Sequence, residues 1–245
     1  MPGGRAPPAR GWWGDTPVIS ENVGYLLLGA WPDGPLGGVA LTLVLALSSG
    51  VASAVLGLAL GIALAMAGRR TRNVLRIGLG FFRAVPIVML IFWTYFLLPI
   101  LFGVAIPEIT TVVAALSLVG GAYLSYVVAA GIEGIGAGQW AAGLALGFTR
   151  WQTLCHLVLP QALRVMAPSF VNQWTSLIKD TSLAYVVGVP ELSFVAAQVN
   201  NRIMVHPMEI FLFVGALYGG LCLALDRVAA RLVRVDRRAT SATAA

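Results

Sequence analysis

From residue 37 to residue 68 the chain runs for 32 residues without one charged side chain. A helix needs only about 20 apolar residues to cross a bilayer, so this run reads as a membrane span with length to spare. The composition agrees: 58% of the chain is apolar and 11% charged, against about 25% charged for soluble domains. Within the run Gly50, Ala54, Gly57, Gly61, Ala65 and Gly68 recur at steps of three or four. That spacing lays small residues along one helix face, where a second helix can approach closely.

Four further spans follow by the same reasoning, at about 86–104, 112–132, 168–189 and 208–230. The expected organisation is an all-α polytopic protein. Residues 1–36 form an N-terminal segment with an interfacial stretch at 18–31, residues 37–232 the membrane domain, and residues 233–245 a basic tail. The prolines of the first 34 residues argue against a cleavable signal peptide. Arg69, Arg70, Arg72 and Arg76 read as a short basic loop, and the glycine-rich residues 131–139 as another. Five spans put the termini on opposite sides. Twelve arginines then fall with the C-terminus, against Arg5, Arg10 and Arg202 with the N-terminus. The positive-inside rule places the C-terminus in the cytoplasm and the N-terminus outside.

The net charge of +6 is thus a topology signal. It has no aromatic platform to suit it to nucleic acid. Cys155 and Cys222 lie in helical pattern and suggest neither a disulfide framework nor zinc spacing. His156 and His206 are separated by a span, so no metal site or catalytic pair is expected, and an intramembrane hydrolase has no base at depth. Lys179 and Asp180 are charged residues inside a span, where exposure to lipid costs a few kcal/mol. With Asn172, Gln173, Thr175, Ser176, Thr181 and Ser182 they make this the most polar span, fit either for lining a cavity or for ion pairing between helices. Arg83 and Pro86, at the start of the second span, suit either a gating helix or an interfacial arginine and a helix-starting proline.

The loop at 138–160 is amphipathic and too broken to cross. Trp140 to Leu146 suits a short helix that Gly147 would end in the left-handed conformation. Thr149 and Gln152 make a capping box for a second helix, with Trp151, Leu154, Cys155 and Val158 on one face and Pro160 closing it. Such a hairpin either docks a partner or merely holds two spans in register.

At these residues the chain resembles a known family, the membrane-spanning permeases of ATP-binding cassette importers in the polar amino acid branch. That family's cytoplasmic signature is Glu-Ala-Ala, three residues, Gly, nine residues and Ile-x-Leu-Pro. Here the stretch is Ala141-Ala142-Gly143, Gly147, then Leu157-Val158-Leu159-Pro160. "FFRAVPIVMLIFWTYFLLP", "GAYLSYVVAAGIEGIGAGQW" and "KDTSLAYVVGVPEL" resemble the same branch in the same order.

The resemblance implies a type I importer: a second permease subunit (the same chain or a different one), two ATPase subunits and an extracytoplasmic amino-acid-binding protein. It implies ATPase coupling through Gln139, Trp140, Ala141, Ala142, Gly143, Gly147, Trp151, Leu159 and Pro160. It also implies a translocation path past Arg83, Pro86, Tyr123, Asn172, Lys179, Asp180 and Ser182. No cofactor and no metal are expected on this chain, which has no phosphate loop; ATP and magnesium would belong to the ATPase. The chain departs from the family at Ala141, where the signature has glutamate, and at Tyr126 and Ala129, where relatives often carry glutamate and arginine. The stretch from Phe82 to Pro99 looks nearest to glutamate/aspartate-type permeases, so the expected cargo is an acidic or amide amino acid. A secondary carrier or channel is the alternative. It would leave the amphipathic loop unexplained, and no inverted repeat is evident.

Overall fold

The computed structural model describes residues 18–103, 106–204 and 207–243, apart from the side chains of residues 18 and 231–243. His206, Arg5 and Arg10 lie outside the described residues. The described part is helical: α1 Val18–Leu28, α2 Gly38–Met66, α3 Arg69–Ala84, α4 Ile87–Phe102, α5 Glu108–Glu133, α6 Ala137–Ala145, α7 Arg150–Val187, α8 Leu192–Ile203 and α9 Pro207–Thr243.

Helix α5 is the hub. Of its most apolar stretch 67% is buried by other helices, against 11% for α9, so α9 turns most of its surface outward. The tightest contact joins α5 to α2 through the small-residue face. A Cβ at Gly57 would lie 2.4 Å from Cβ of Leu124, and one at Gly61 2.4 Å from Cβ of Val128. Close backbone approach of this kind gives apolar helices their van der Waals contact where no hydrophobic drive exists in lipid. Gly68, at the end of the expected stripe, meets nothing within 4 Å. Helix α7 is tied to α2 by Trp174, whose indole N–H donates to the Gly50 carbonyl at 3.1 Å. At the end of the bundle where α2 begins, α1, α8 and the start of α9 share an apolar cluster of Leu26, Leu192, Val195, Val199 and Ile210.

Three expectations are corrected. The arginines Arg69, Arg70, Arg72 and Arg76 stand on a helix, α3, not in a loop. Arginine is a good helix former, and Leu75, Leu79 and Phe82 at steps of four and three supply the face that packs on Leu64 and Ala122. Helices α3 and α4 meet at a 98° bend. The stretch expected to span from Pro86 is therefore α4, only about 24 Å long, and it is long and apolar enough to cross only together with α3. The second correction concerns residues 131–139. Helix α5 runs on to Glu133 and α6 starts at Ala137; Gly131 is a packing glycine inside α5, where Met166 comes within 2.5 Å of a would-be Cβ.

Thirdly, Pro160 does not close the amphipathic helix, which continues into the polar span as one helix of 38 residues. A widened turn at Leu154–Val158 lets it pass. Leu159 N–H bonds back five residues to the Leu154 carbonyl. Pro160 has no N–H for the His156 carbonyl four residues before it; one residue on, the Leu157 carbonyl accepts from the Gln161 side-chain amide at 2.7 Å. At 1.5 Å per residue α7 measures about 57 Å, far more than the roughly 30 Å of hydrocarbon.

Candidate functional site

The expected coupling residues converge on an elbow between α6 and α7. Gly147 has φ +81°, in the left-handed region that costs a side chain most. Around it the chain closes a Schellman turn: Phe148 N–H donates to the Gly143 carbonyl at 3.1 Å and Gly147 N–H to the Leu144 carbonyl at 3.0 Å, which satisfies two free carbonyls at the helix end. The capping box is complete, with Gln152 N–H donating to Thr149 Oγ1 at 3.2 Å and Thr149 N–H to Gln152 Oε1 at 2.8 Å. Both helix ends at the elbow are thus capped without help from a partner.

The elbow is fastened to the span. Gly143 is buried against Thr153 and Leu157, Gln161 donates to Gln139 at 3.2 Å, and the Arg150 guanidinium lies 6.0 Å from the Trp140 ring centre. Leu159 is half-buried and Pro160 exposed. Ala141 and Ala142 are exposed. So is a row of large apolar side chains: Leu144, Leu146, Phe148 and Trp151, with Leu146 at 72%. Contiguous exposed apolar side chains among polar neighbours mark an interaction site. The periodicity of the loop showed one apolar face, but not that Leu146 and Phe148 are left outside it.

The expected path residues do not form one cluster of mutual contacts. Arg83 and Tyr123 do meet: the guanidinium carbon lies 4.9 Å from the Tyr123 ring centre and 4.4 Å from that of Tyr126. Tyr126, noted in the sequence only as a departure, donates its hydroxyl to the Arg76 carbonyl at 3.1 Å. Pro86 is exposed at the bend. Asn172 and Lys179 are exposed, and Asp180 and Ser182 half-buried. Lys179 and Asp180 make no ion pair with each other or with any described residue, in contrast to Arg72, which pairs with Glu133 at 3.9 Å. Neighbouring residues on a helix diverge by about 100°, which keeps the two charges apart. Ser182 Oγ donates to the Lys179 carbonyl at 2.7 Å. The described residues hold no cluster of three or more His, Cys, Asp or Glu suited to a metal.

One buried charge was not singled out in the sequence. Glu191 is wholly buried at the start of α8. Its carboxylate accepts from Ser193 N–H and Phe194 N–H, both at 2.9 Å, and from the Tyr218 hydroxyl at 2.6 Å. Burial pushes its pKa up to about 7, against the pull of those hydrogen bonds. Beside it Gly38 N–H donates to the Pro190 carbonyl at 2.9 Å, and Thr42 Oγ1 accepts from Leu192 N–H at 3.2 Å. Glu191 therefore joins α8 to α9 where both meet the start of α2. The signal available was its place two and three residues before two free N–H groups of a helix.

Comparison with known proteins follows this geometry. The family described as "Binding-protein-dependent transport system inner membrane component" matches residues 57–236. The glutamine transport system permease protein GlnP of Escherichia coli (strain K12) is 34% identical over 213 residues, covering 83% of this chain and 94% of that one. The L-cystine transport system permease protein TcyB of Bacillus subtilis (strain 168) is 33% identical, covering 78% and 82%. The glutamate/aspartate import permease protein GltK of Escherichia coli O6:H1 is 33% identical, covering 62% and 71%. Among solved structures, an amino acid ABC transporter with histidines superposes with a TM-score of 0.71 at 22% identity, covering 79% of this chain and 89% of that one. The MetNI methionine transporter in an inward-facing conformation does so with a TM-score of 0.71 at 21% identity, covering 81% and 94%. At those identities the superpositions speak for the fold.

Proposed function

Because the chain belongs to the family of inner-membrane components of binding-protein-dependent transport systems, we propose that it is the permease subunit of an ATP-driven importer for polar amino acids, with an acidic or amide amino acid as cargo. The relatives named for glutamine and for glutamate/aspartate support that cargo. The work is shared with a second permease subunit, two ATPase subunits and an extracytoplasmic binding protein. The N-terminus lies outside and the C-terminus in the cytoplasm, which the arginine asymmetry supports. On this reading 1–36 is extracytoplasmic and 233–245 a cytoplasmic tail.

The observation that carries the reading is the self-capped elbow at Gly147, built onto the start of a helix that runs unbroken from Arg150 to Val187. A rigid knob seated in an ATPase moves with it, and α7 carries that movement along its length. Asn172, Lys179, Asp180 and Ser182 ride on the same helix, so movement at the elbow displaces the polar stretch of the path. With alanine at position 141 the elbow lacks an acidic contact there, and its exposed Leu144, Leu146, Phe148 and Trp151 make the seat an apolar one.

The test is Leu146→Asp, which changes an exposed side chain and leaves the Schellman turn intact. In the complete importer it should cut co-purification of the ATPase, and substrate-stimulated ATP hydrolysis, at least tenfold while membrane insertion is unchanged. Full coupling in this variant would refute the apolar seat.

A further inference from the structure

Tyr123 lies fifteen residues beyond Glu108 and ten before Glu133 on α5, about 22 Å and 15 Å from the two helix ends. Arg83, packed on Tyr123 and Tyr126, therefore lies within the length of the span, about 10 to 15 Å from its Glu133 end. A charge at that depth faces a cavity or a partner, never bare lipid.

The immediate surroundings hold the guanidinium without neutralising it. The two tyrosine rings attract it through their faces and occupy none of its five N–H donors. Their hydroxyls are spent on the backbone of α3: Tyr126 on the Arg76 carbonyl at 3.1 Å, and Tyr123, with a long contact of 3.5 Å, on the carbonyl of Arg83 itself. No described carboxylate is ion-paired with Arg83. The face of α5 that carries it is the open one: Leu124, Ser125 and Val128 are buried, whereas Tyr123 is 40% exposed. The Phe81 and Trp93 rings stack at 6.3 Å across the bend beside it.

A positioned guanidinium with a free fork of donors suits a planar two-oxygen anion, through two parallel charge-assisted hydrogen bonds. Every amino acid brings such a group whatever its side chain. We propose that Arg83, seated on Tyr123 and Tyr126, binds the α-carboxylate of the amino acid as it passes through the permease. The proposal rests on the amino-acid reading above and deepens it, assigning one shared anchor to all cargoes and leaving side-chain selection to other groups.

The experiment measures equilibrium binding of radiolabelled L-glutamine, L-glutamate and L-cystine to the permease–ATPase complex in nanodiscs, without nucleotide or binding protein. Each amino acid is competed with its α-carboxamide, and uptake into proteoliposomes with the binding protein is followed in parallel. Wild type should bind at least one of the three, with the carboxamide at least tenfold weaker. Arg83→Gln should lose tenfold or more in affinity and treat acid and amide within twofold of each other. Arg83→Lys, charged but unforked, should fall between. Tyr126→Leu, which removes the ring from beneath the guanidinium, should weaken binding.

Unchanged acid-over-amide preference in Arg83→Gln overturns the proposal and leaves the amino-acid reading standing, as does wild-type uptake without any binding to the complex. Failure of Arg83→Gln to assemble with the second permease subunit, repaired by lysine, also overturns it, because the partner of Arg83 would then be a carboxylate of the other subunit. If wild type neither binds nor imports any of the three, the amino-acid reading itself fails.

Discussion

Glu191 shows what a single buried carboxylate contributes at the end of the bundle where α2 begins. Its pKa is raised by burial to about 7, from the ordinary 4.5. Between those two pH values the folded protein holds a proton that the unfolded chain has lost, so stability due to this group falls as pH rises from about 4.5 to about 7, by about 3 kcal/mol in all. Glu191→Gln removes the titration while keeping a side chain that can accept a hydrogen bond. The difference in thermal stability between wild type and Glu191→Gln in detergent should therefore shrink or reverse across that pH window and stay level above it. A difference that does not change with pH would mean that Glu191 is ionised throughout. The neighbouring group that shares the carboxylate is Tyr218, whose hydroxyl donates to it.

At the scale of an element, the elbow depends on backbone conformation more than on contacts. Nothing lies within 4 Å of a would-be Cβ at Gly147, so a substitution there has room and pays only for φ +81°. Valine should cost about 1 to 2 kcal/mol at the turn, opening the Schellman bonds and misaligning α6 against α7. The expected result is normal insertion with loss of substrate-stimulated ATP hydrolysis, read against basal hydrolysis in the same complex. Retention of full stimulation by Gly147→Val would show that coupling tolerates a loosened elbow. Helix α7 carries the complementary lesson: a proline inside a helix need not end it when a widened turn re-routes the bonding before it.

For the whole molecule, the arginine asymmetry predicts the orientation in the bilayer through the positive-inside rule. Arg69, Arg70, Arg72 and Arg76 stand beside the Met66 end of α2 and the Glu133 end of α5. There Arg72 also reaches the Ala67 carbonyl at 3.3 Å and Glu133 at 3.9 Å, tying the ends of both helices together. In intact cells a single cysteine placed near residue 10 should react with an impermeant thiol reagent, and one near residue 238 only after permeabilisation, in variants whose Cys155 and Cys222 are replaced. The reverse labelling pattern would invert the proposed topology and put the elbow on the wrong side for any ATPase.

The uncharged run at 37–68, the Gly57 and Gly61 face, the turn at Gly147 and the Thr149/Gln152 cap could all be read from local residues. Each rests on a short-range rule: no charge in lipid, no Cβ at a close approach, no side chain at positive φ, one hydroxyl for one free N–H. The bend between α3 and α4, the passage of Pro160 and the seat of Arg83 could not be read in that way. Each depends on which helix lies alongside, and two segments with the same local pattern fold differently when one finds a neighbour. Tertiary structure alone decided that Arg83 rests on two tyrosines from a helix forty residues away, and that Glu191 is sealed by a tyrosine twenty-seven residues on. A charge shows in the sequence, but its partner is chosen by packing.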